Sequence, residues 1–282
     1  MNRIDTQIKF LRIQERKNAL TLESKPPPVG FNMATNGYEN IGSMINIQTS
    51  STCQLSCKGC RGSFDQKFLS DASSNSFIPH GVFQLIVNKC IQDGVRCVEL
   101  TPAIGDPFLD SDIFNKIEFL QNHSGVELII VTTNLLKYDH VKWSQLLTFD
   151  KLSLNISIYG VDNDSYQTET GRDMFDVFIK NFKQLYSLVE SQGVNGYIQL
   201  TNRTRWLLRD EPLMPKTDIY YMIHLFNRQN RVGIDCSEVF NINRAGAVKR
   251  SDLSFAKDKE PTRTGLCPHG PGLGGGILPN GD

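Results

Sequence analysis

Three cysteines lie within eight residues of one another, at Cys53, Cys57 and Cys60, in the spacing Cys-x3-Cys-x2-Cys. Cysteine thiolates bind iron–sulfur clusters, and a four-iron cluster is usually held by four of them. Three thiolates can therefore hold a [4Fe–4S] cluster and leave its fourth iron without a protein ligand. An open coordination position separates catalytic metal sites from structural ones. The sequence predicts that the chemistry of this protein is located in this loop.

The same thiols could instead bind zinc with a fourth ligand from elsewhere, for which His80, Cys90 and Cys97 are the candidates. Zinc sites usually show two separated pairs of ligands. The sequence has no second Cys pair of that kind, which favours the cluster. Disulfides are disfavoured because the chain has the character of an intracellular protein.

The overall charge argues against two classes of partner. Thirty Lys and Arg balance thirty Asp and Glu among the 282 residues, so the formal net charge is zero. This balance gives no electrostatic reason to bind nucleic acid or an anionic membrane. The amino-terminal segment lacks the apolar core of a secretory signal, and no apolar run has the length of a membrane span. We expect a cytoplasmic protein whose seven cysteines form no disulfide framework.

Strand and helix patterns alternate from residue 44 to about residue 240. The alternation predicts a parallel sheet with helical crossovers. Ligands of such sheets bind at the carboxyl ends of the strands, where the cysteine loop follows the first strand directly. The strands are expected at 44–49, 96–101, 126–132, 152–158, 196–201 and 232–239, and the helices at 82–92, 111–122, 140–147, 173–190 and 218–227.

The cysteine spacing after a strand resembles that of the radical S-adenosylmethionine (radical SAM) enzymes. The resemblance implies an α/β fold, a partial (β/α)6 TIM-like barrel. It also implies two cofactors, a [4Fe–4S] cluster held by the three cysteines and S-adenosylmethionine (SAM) bound to the free iron. Reductive cleavage of SAM would give a 5'-deoxyadenosyl radical that abstracts hydrogen from a substrate. A reductant such as flavodoxin or ferredoxin would supply the electron.

Two segments at later strand ends extend the resemblance. Gly105-Asp106-Pro107 is similar to the Gly-Gly-Glu-Pro segment, whose backbone and acidic residue meet the SAM amino group. Asn134 lies in a segment similar to Thr-Asn-Gly, with Leu135 in place of the glycine. The resemblance implies that Gly105, Asp106 and Asn134 bind the cofactor. Both segments are also ordinary turn sequences.

The fourth strand adds a further candidate. Ser157 matches the serine that binds the SAM ribose, and Tyr159 stands where the family usually has Asp. A tyrosine and a Thr-Gly pair follow, as in the family, at Tyr166 and at residues 170–171. The alternative for Ser157 is a serine that faces the barrel without a ligand.

The carboxyl-terminal tail carries a second resemblance. Residues 241–246, the segment around Cys267 and the Asn-Gly pair at 280–281 are similar to the start of a SPASM or twitch extension. Cys267 is thus a possible auxiliary-cluster ligand. The resemblance implies an extension at 1–43, a radical SAM core at 44–250 and the start of a truncated SPASM/twitch-like segment at 251–282. The glycine-rich stretch 270–276 is assigned to this last segment.

The sequence therefore predicts a radical SAM enzyme, an oxidoreductase that acts on a peptide or protein, or on a small natural product. Two other classes stay open. One is a non-catalytic iron–sulfur or zinc-binding scaffold that kept the barrel, and the other is an electron-transfer protein that does not turn over SAM.

Overall fold

A single parallel sheet forms the centre of the protein. The computed structural model describes residues 3–15, 43–57, 60, 77–100, 105–203, 217–235 and 274–277. Within them the sheet has seven strands in the order β6-β5-β4-β3-β2-β1-β7, and every neighbouring pair is parallel. The strands are β1 Ser43–Ile47, β2 Val95–Glu99, β3 Leu128–Thr133, β4 Leu152–Ile158, β5 Tyr197–Asn202, β6 Val232–Asp235 and β7 Gly274–Ile277.

Helices follow the strands, as expected for crossovers between parallel neighbours. Six strands in chain order with helices between them confirm the predicted partial (β/α)6 barrel. In the described part of the chain, no pairing joins the edge strands β6 and β7. The helices are α1 Arg3–Glu15, α2 His80–Gln92, α3 Ile113–Asn122, α4 His140–Leu146, α5 Asn163–Thr170, α6 Phe175–Gln192 and α7 Asp218–Asn227, with a 3-10 turn at Pro107–Leu109.

The two faces of the sheet differ in polarity, because successive side chains of a strand point to opposite faces. One face packs on the helices and contributes residues such as Ile129, Val131 and Ile156 to the main core. The other face begins with a small apolar cluster of Cys97, Leu128 and Ile130. Towards the carboxyl ends it becomes polar, where Thr132 pairs with Asn155, Asn155 with Gln199 and Ser157 with Thr201. This polar face is suited to bind a ligand.

The amino-terminal extension contributes a helix to the core. Ile4, Ile8 and Leu11 of α1 lie one turn apart and are buried, which makes an apolar stripe. Arg12 donates to Asp218 of α7 at 2.6 Å between Nη2 and Oδ1. The helix therefore packs on α7. Within the described ranges no helix is long and apolar enough to cross a membrane.

Two further elements lie outside the predicted strands and helices. Helix α5 is largely polar and starts at a capping box, in which Asp162 and Ser165 bond each other's backbone N–H groups. Strand β7 is glycine-rich, a composition that disfavours strands, yet Met44 of β1 pairs with Gly274. A part of the tail assigned to a separate extension thus adds a strand to the core sheet. The predicted ligand Cys267 lies outside the described residues.

Helix α2 differs from the sequence expectation in its burial. Its many apolar residues suggest a buried helix, but only Phe83 and Val87 are buried. Val82 is 44% exposed and Leu85 is 71% exposed. The helix therefore lies on the surface and buries a single stripe.

Candidate metal centre

The three cysteines lie on one loop at the carboxyl end of β1, where the sequence predicted them. The Cys60 N–H donates to the Cys57 carbonyl at 2.9 Å, which closes a turn between the second and third cysteine. Cys53 is exposed, and Cys57 and Cys60 are half-buried. The loop thus presents thiols at the mouth of the polar face.

The loop environment disfavours free thiolates. Although Cys53 keeps an exposed edge, loss of water raises its pKa to about 11, and the nearby negative groups of Asp106 and Cys60 add to the rise. Burial, and then the neighbouring Cys53 and Cys60 thiols, raise the pKa of Cys57 further. Metal ligation requires thiolates and releases their protons. An all-sulfur donor set fits an iron–sulfur cluster, whose iron supplies the positive charge that stabilises the thiolates.

Among the described residues, none of the three candidates for a fourth zinc ligand is placed as a ligand beside the cysteine loop. His80 is hydrogen-bonded through Nδ1 to Asp112 at 2.7 Å, Cys97 is buried in the small apolar cluster, and Cys90 packs against the main core. Among the described residues, no three His, Cys, Asp or Glu side chains are close enough together to hold a single metal ion.

Gly105 fits against the backbone of the cysteine loop. Its φ of 103° lies in the region that favours glycine. A Cβ atom there would stand 2.6 Å from the Ser50 carbonyl oxygen and 2.9 Å from that of Thr52. The next residue, Asp106, donates its N–H to the same Thr52 oxygen at 2.7 Å. The Gly-Asp-Pro segment therefore supports the loop directly.

The Asp106 side chain is buried and fully engaged with the protein. Its Oδ1 accepts from the Phe108 N–H at 3.0 Å. Its Oδ2 accepts from the Thr133 hydroxyl at 2.9 Å and from the Asn134 N–H at 2.8 Å. Burial raises the pKa of this carboxyl, and the three hydrogen bonds oppose that rise. The side chain thus joins the loop after β2 to the end of β3. A ligand at this segment would therefore meet its backbone groups and not the carboxylate.

Asn134 reaches the first cysteine. Its Nδ2 donates to Cys53 Sγ at 3.5 Å and to Gln54 Oε1 at 3.3 Å, while its Oδ1 accepts from the Leu136 N–H at 3.0 Å. Leu135, in place of the family's glycine, adopts a φ of 62°. Leu135 therefore adopts the left-handed backbone conformation that glycine takes most easily.

The end of β4 contributes two hydroxyl groups. Ser157 is buried on the polar face, and its hydroxyl donates to Tyr159. The Tyr159 hydroxyl in turn donates to the Cys57 thiol and so lowers its pKa. Burial, followed by the nearby Cys57, raises the pKa of Tyr159 well above its ordinary value. Tyr159 was noted only for occupying an acidic position, and its contact with the cysteine loop was missed.

The Thr-Gly pair supports the loop from another side. The Ser56 N–H donates to the Thr170 carbonyl at 2.9 Å. Gly171 has a φ of 68°, and a Cβ there would approach the Ser56 carbonyl oxygen to 3.1 Å. The segments after β2, after β3 and at the end of α5 thus contact the cysteine loop directly, which no spacing in the sequence reveals.

Comparisons with known proteins agree with this architecture. No protein-family model matches the chain. The crystal structure of Streptococcus suis SuiB bound to its precursor peptide SuiA aligns with a TM-score of 0.50 and 16% identity, over 91% of this chain and 54% of SuiB. A structure of SuiB bound to SAM aligns with a TM-score of 0.48 and 17% identity, over 89% of this chain and 54% of SuiB. A probable GTP 3',8-cyclase from Sulfurisphaera tokodaii is 24% identical over 140 residues, 50% of this chain and 42% of the cyclase.

These relatives are radical SAM enzymes. The protein therefore has the α/β fold of that class, with the cysteine loop at the carboxyl end of the first strand. The chain spans about half the length of SuiB and less than half the length of the cyclase.

Proposed function

We propose that this protein is a radical SAM enzyme. Cys53, Cys57 and Cys60 would hold one [4Fe–4S] cluster, and SAM would bind at the iron that lacks a cysteine. The observation that carries the proposal is the cysteine loop itself, supported by three later strand ends of a sheet with this fold. A reduced cluster held by these three cysteines would supply the electron for the reductive cleavage of SAM.

The chain's own residues have distinct tasks in this proposal. The backbone carbonyl groups of Gly105 and Asp106 would accept hydrogen bonds from the SAM amino group, because the Asp106 carboxylate is already used to hold the segment in place. Ser157 would bond the ribose from the polar face, since a hydroxyl both donates and accepts. Asn134 would complete the site on the side of Cys53, to whose sulfur it donates.

The substrate is proposed to be a peptide or protein, or a small natural product. SuiB, whose fold aligns with most of this chain, is bound to a precursor peptide in its structure. The polar face of Asn155, Gln199 and Thr201 offers amide and hydroxyl groups, which suit the amides of a peptide backbone. The cytoplasmic location and a flavodoxin or ferredoxin reductant belong to the same proposal.

The first experiment tests the cluster. Anaerobic reconstitution should give four irons per chain, and Ala in place of any one of Cys53, Cys57 and Cys60 should abolish the cluster absorbance. Cys90→Ala is the matched control, because this thiol lies on α2 away from the loop, and it should keep the cluster. Stoichiometric zinc with no iron would refute the cluster.

The second experiment tests turnover of SAM. The reduced, cluster-loaded protein should release 5'-deoxyadenosine, detected by chromatography and mass spectrometry, even if slowly without substrate. A loaded protein that never forms this product would support the scaffold or electron-transfer classes. Calorimetry with SAM on the loaded protein then distinguishes a site that binds SAM without cleaving it from a site that binds no SAM, and the second result is the one expected of both alternative classes.

A further inference from the structure

Asn134 is held so firmly that the direction of its amide is fixed. The Asn134 Oδ1 accepts from the Leu136 N–H at 3.0 Å, so the oxygen and nitrogen ends of the amide cannot exchange without breaking that bond. Its backbone N–H is bound to the buried Asp106 carboxylate at 2.8 Å. The residue as a whole is only 5% exposed. Its NH2 group must therefore point at the cysteine loop.

That NH2 group has two acceptors on the cysteine loop, Gln54 Oε1 at 3.3 Å and the sulfur of Cys53. Nδ2 lies 3.5 Å from Cys53 Sγ, and the Leu55 N–H donates to the same sulfur at 3.4 Å. Cys53 thus accepts from one side chain and one backbone group. Hydrogen bonds to cluster sulfurs help set the reduction potential of an iron–sulfur cluster. A donor stabilises the reduced cluster more than the oxidised one, because the reduced cluster carries one more negative charge.

We propose that Asn134 is a positioning residue that raises the reduction potential of the cluster through its hydrogen bond to Cys53, rather than a residue whose main task is to contact SAM. The inference rests on the proposed function, since it requires the cluster. It also gives a physical reason for the Asp106 network, which fixes the backbone of Asn134 so that the amide reaches the sulfur.

The test is an EPR-monitored redox titration of the reconstituted protein without SAM. Asn134→Asp keeps an oxygen for the Leu136 N–H and removes the donor, and Asn134→Ala removes both. Each variant should have a lower midpoint potential, by about 59 mV for each tenfold loss in the relative stability of the reduced cluster. The shift should be larger for the Asp variant, since it also adds a negative charge.

Asn181→Ala is the matched control. Asn181 Nδ2 donates to the carbonyls of Leu135 and Leu136 at 2.9 and 3.2 Å, so it holds the same turn through hydrogen bonds to the backbone and not through one to Cys53. This variant loosens the turn without removing the donor, and its potential should stay at the wild-type value. Lower potentials in both Asn134 variants with an unchanged Asn181 variant are the expected result.

Three results would overturn the inference, and they differ from a failure of the proposed function. Loaded Asn134→Asp with a wild-type potential refutes the tuning role while the cluster stands. An equal shift in Asn181→Ala shows that turn geometry is responsible. Loss of the cluster from both Asn134 variants, with Asn181→Ala still loaded, shows a purely structural role. The proposed function itself is refuted only if the wild-type protein binds no iron–sulfur cluster after reconstitution.

Discussion

Replacement of Gly105 by alanine is expected to damage the metal centre through the backbone alone. The change adds one methyl group and no charge. At this position the methyl would lie 2.6 Å from the Ser50 carbonyl oxygen and 2.9 Å from the Thr52 oxygen, both far inside ordinary contact. These carbonyls belong to residues three positions and one position before Cys53, so relief of the contact must move either the start of the cysteine loop or the segment that supports it.

The size of the effect follows from two contributions. An L-residue forced to positive φ costs about 1–2 kcal/mol. Crowding in a packed site adds about 1–3 kcal/mol. The free energy of unfolding should therefore fall by about 2–5 kcal/mol in Gly105→Ala. Gly94 separates the two contributions, because its φ of 95° is similar and no atom lies within 4 Å of the position that an added methyl would occupy.

The assay has two readouts. Denaturant unfolding of the metal-free protein should show a loss of about 1–2 kcal/mol for Gly94→Ala and a larger loss for Gly105→Ala. Iron content after anaerobic reconstitution should fall in Gly105→Ala and stay unchanged in Gly94→Ala. Equal losses of stability in the two variants, with full iron content in both, would refute the close approach of Gly105 to the loop.

Three further outcomes are expected. Burial lowers the pKa of His224 to about 4 from 6.5, so the stability that neutral His224 allows is complete above pH 6.5 and is lost as the pH falls towards 4, by at most about 3 kcal/mol. The pH dependence of the free energy of unfolding should lose this component in His224→Gln and keep it in a variant of the exposed His140. An unchanged pH profile in His224→Gln would contradict this prediction. Leu135→Ala should cost about 2–5 kcal/mol of unfolding free energy because Leu135 is fully buried. Leu135→Gly should cost no more than the alanine variant, because glycine relieves the positive φ. A glycine variant that is clearly less stable than the alanine variant would argue against strain at this turn. Ser157→Ala should weaken SAM binding by about 1 kcal/mol, about fivefold. Ser153→Ala, on the same face but nearer the amino end of β4, should leave SAM binding unchanged. Calorimetry on the loaded protein checks both variants, and equal effects would remove Ser157 from the site.

The sequence determined the local parts of this protein. The period of its apolar residues predicted β4 and α7 at their observed bounds, and the other strands of β1–β6 within a few residues. The cysteine spacing is local as well, since Cys53, Cys57 and Cys60 share one loop. The position of the family-like segments after strands then predicted that they meet at one edge, because parallel strands end together.

Weak local signals explain the missed elements. Helix α5 has a cap but little apolar periodicity, so its helical state depends on Tyr166, which is buried against α6. Strand β7 consists mostly of glycine, and its place is set by pairing with β1, more than two hundred residues earlier in the chain. Pairings over such separations leave no periodic trace in either segment.

Only the tertiary structure decided what the polar side chains contact. The sequence assigned the Asp106 carboxylate to a ligand, but the fold surrounds it with donors from its own loop and from β3. It likewise brings Tyr159 to Cys57 and Asn134 to Cys53, across separations of about eighty to a hundred residues. A side chain's type limits which bonds it can make, whereas the partner it finds depends on burial and on distances that packing alone sets.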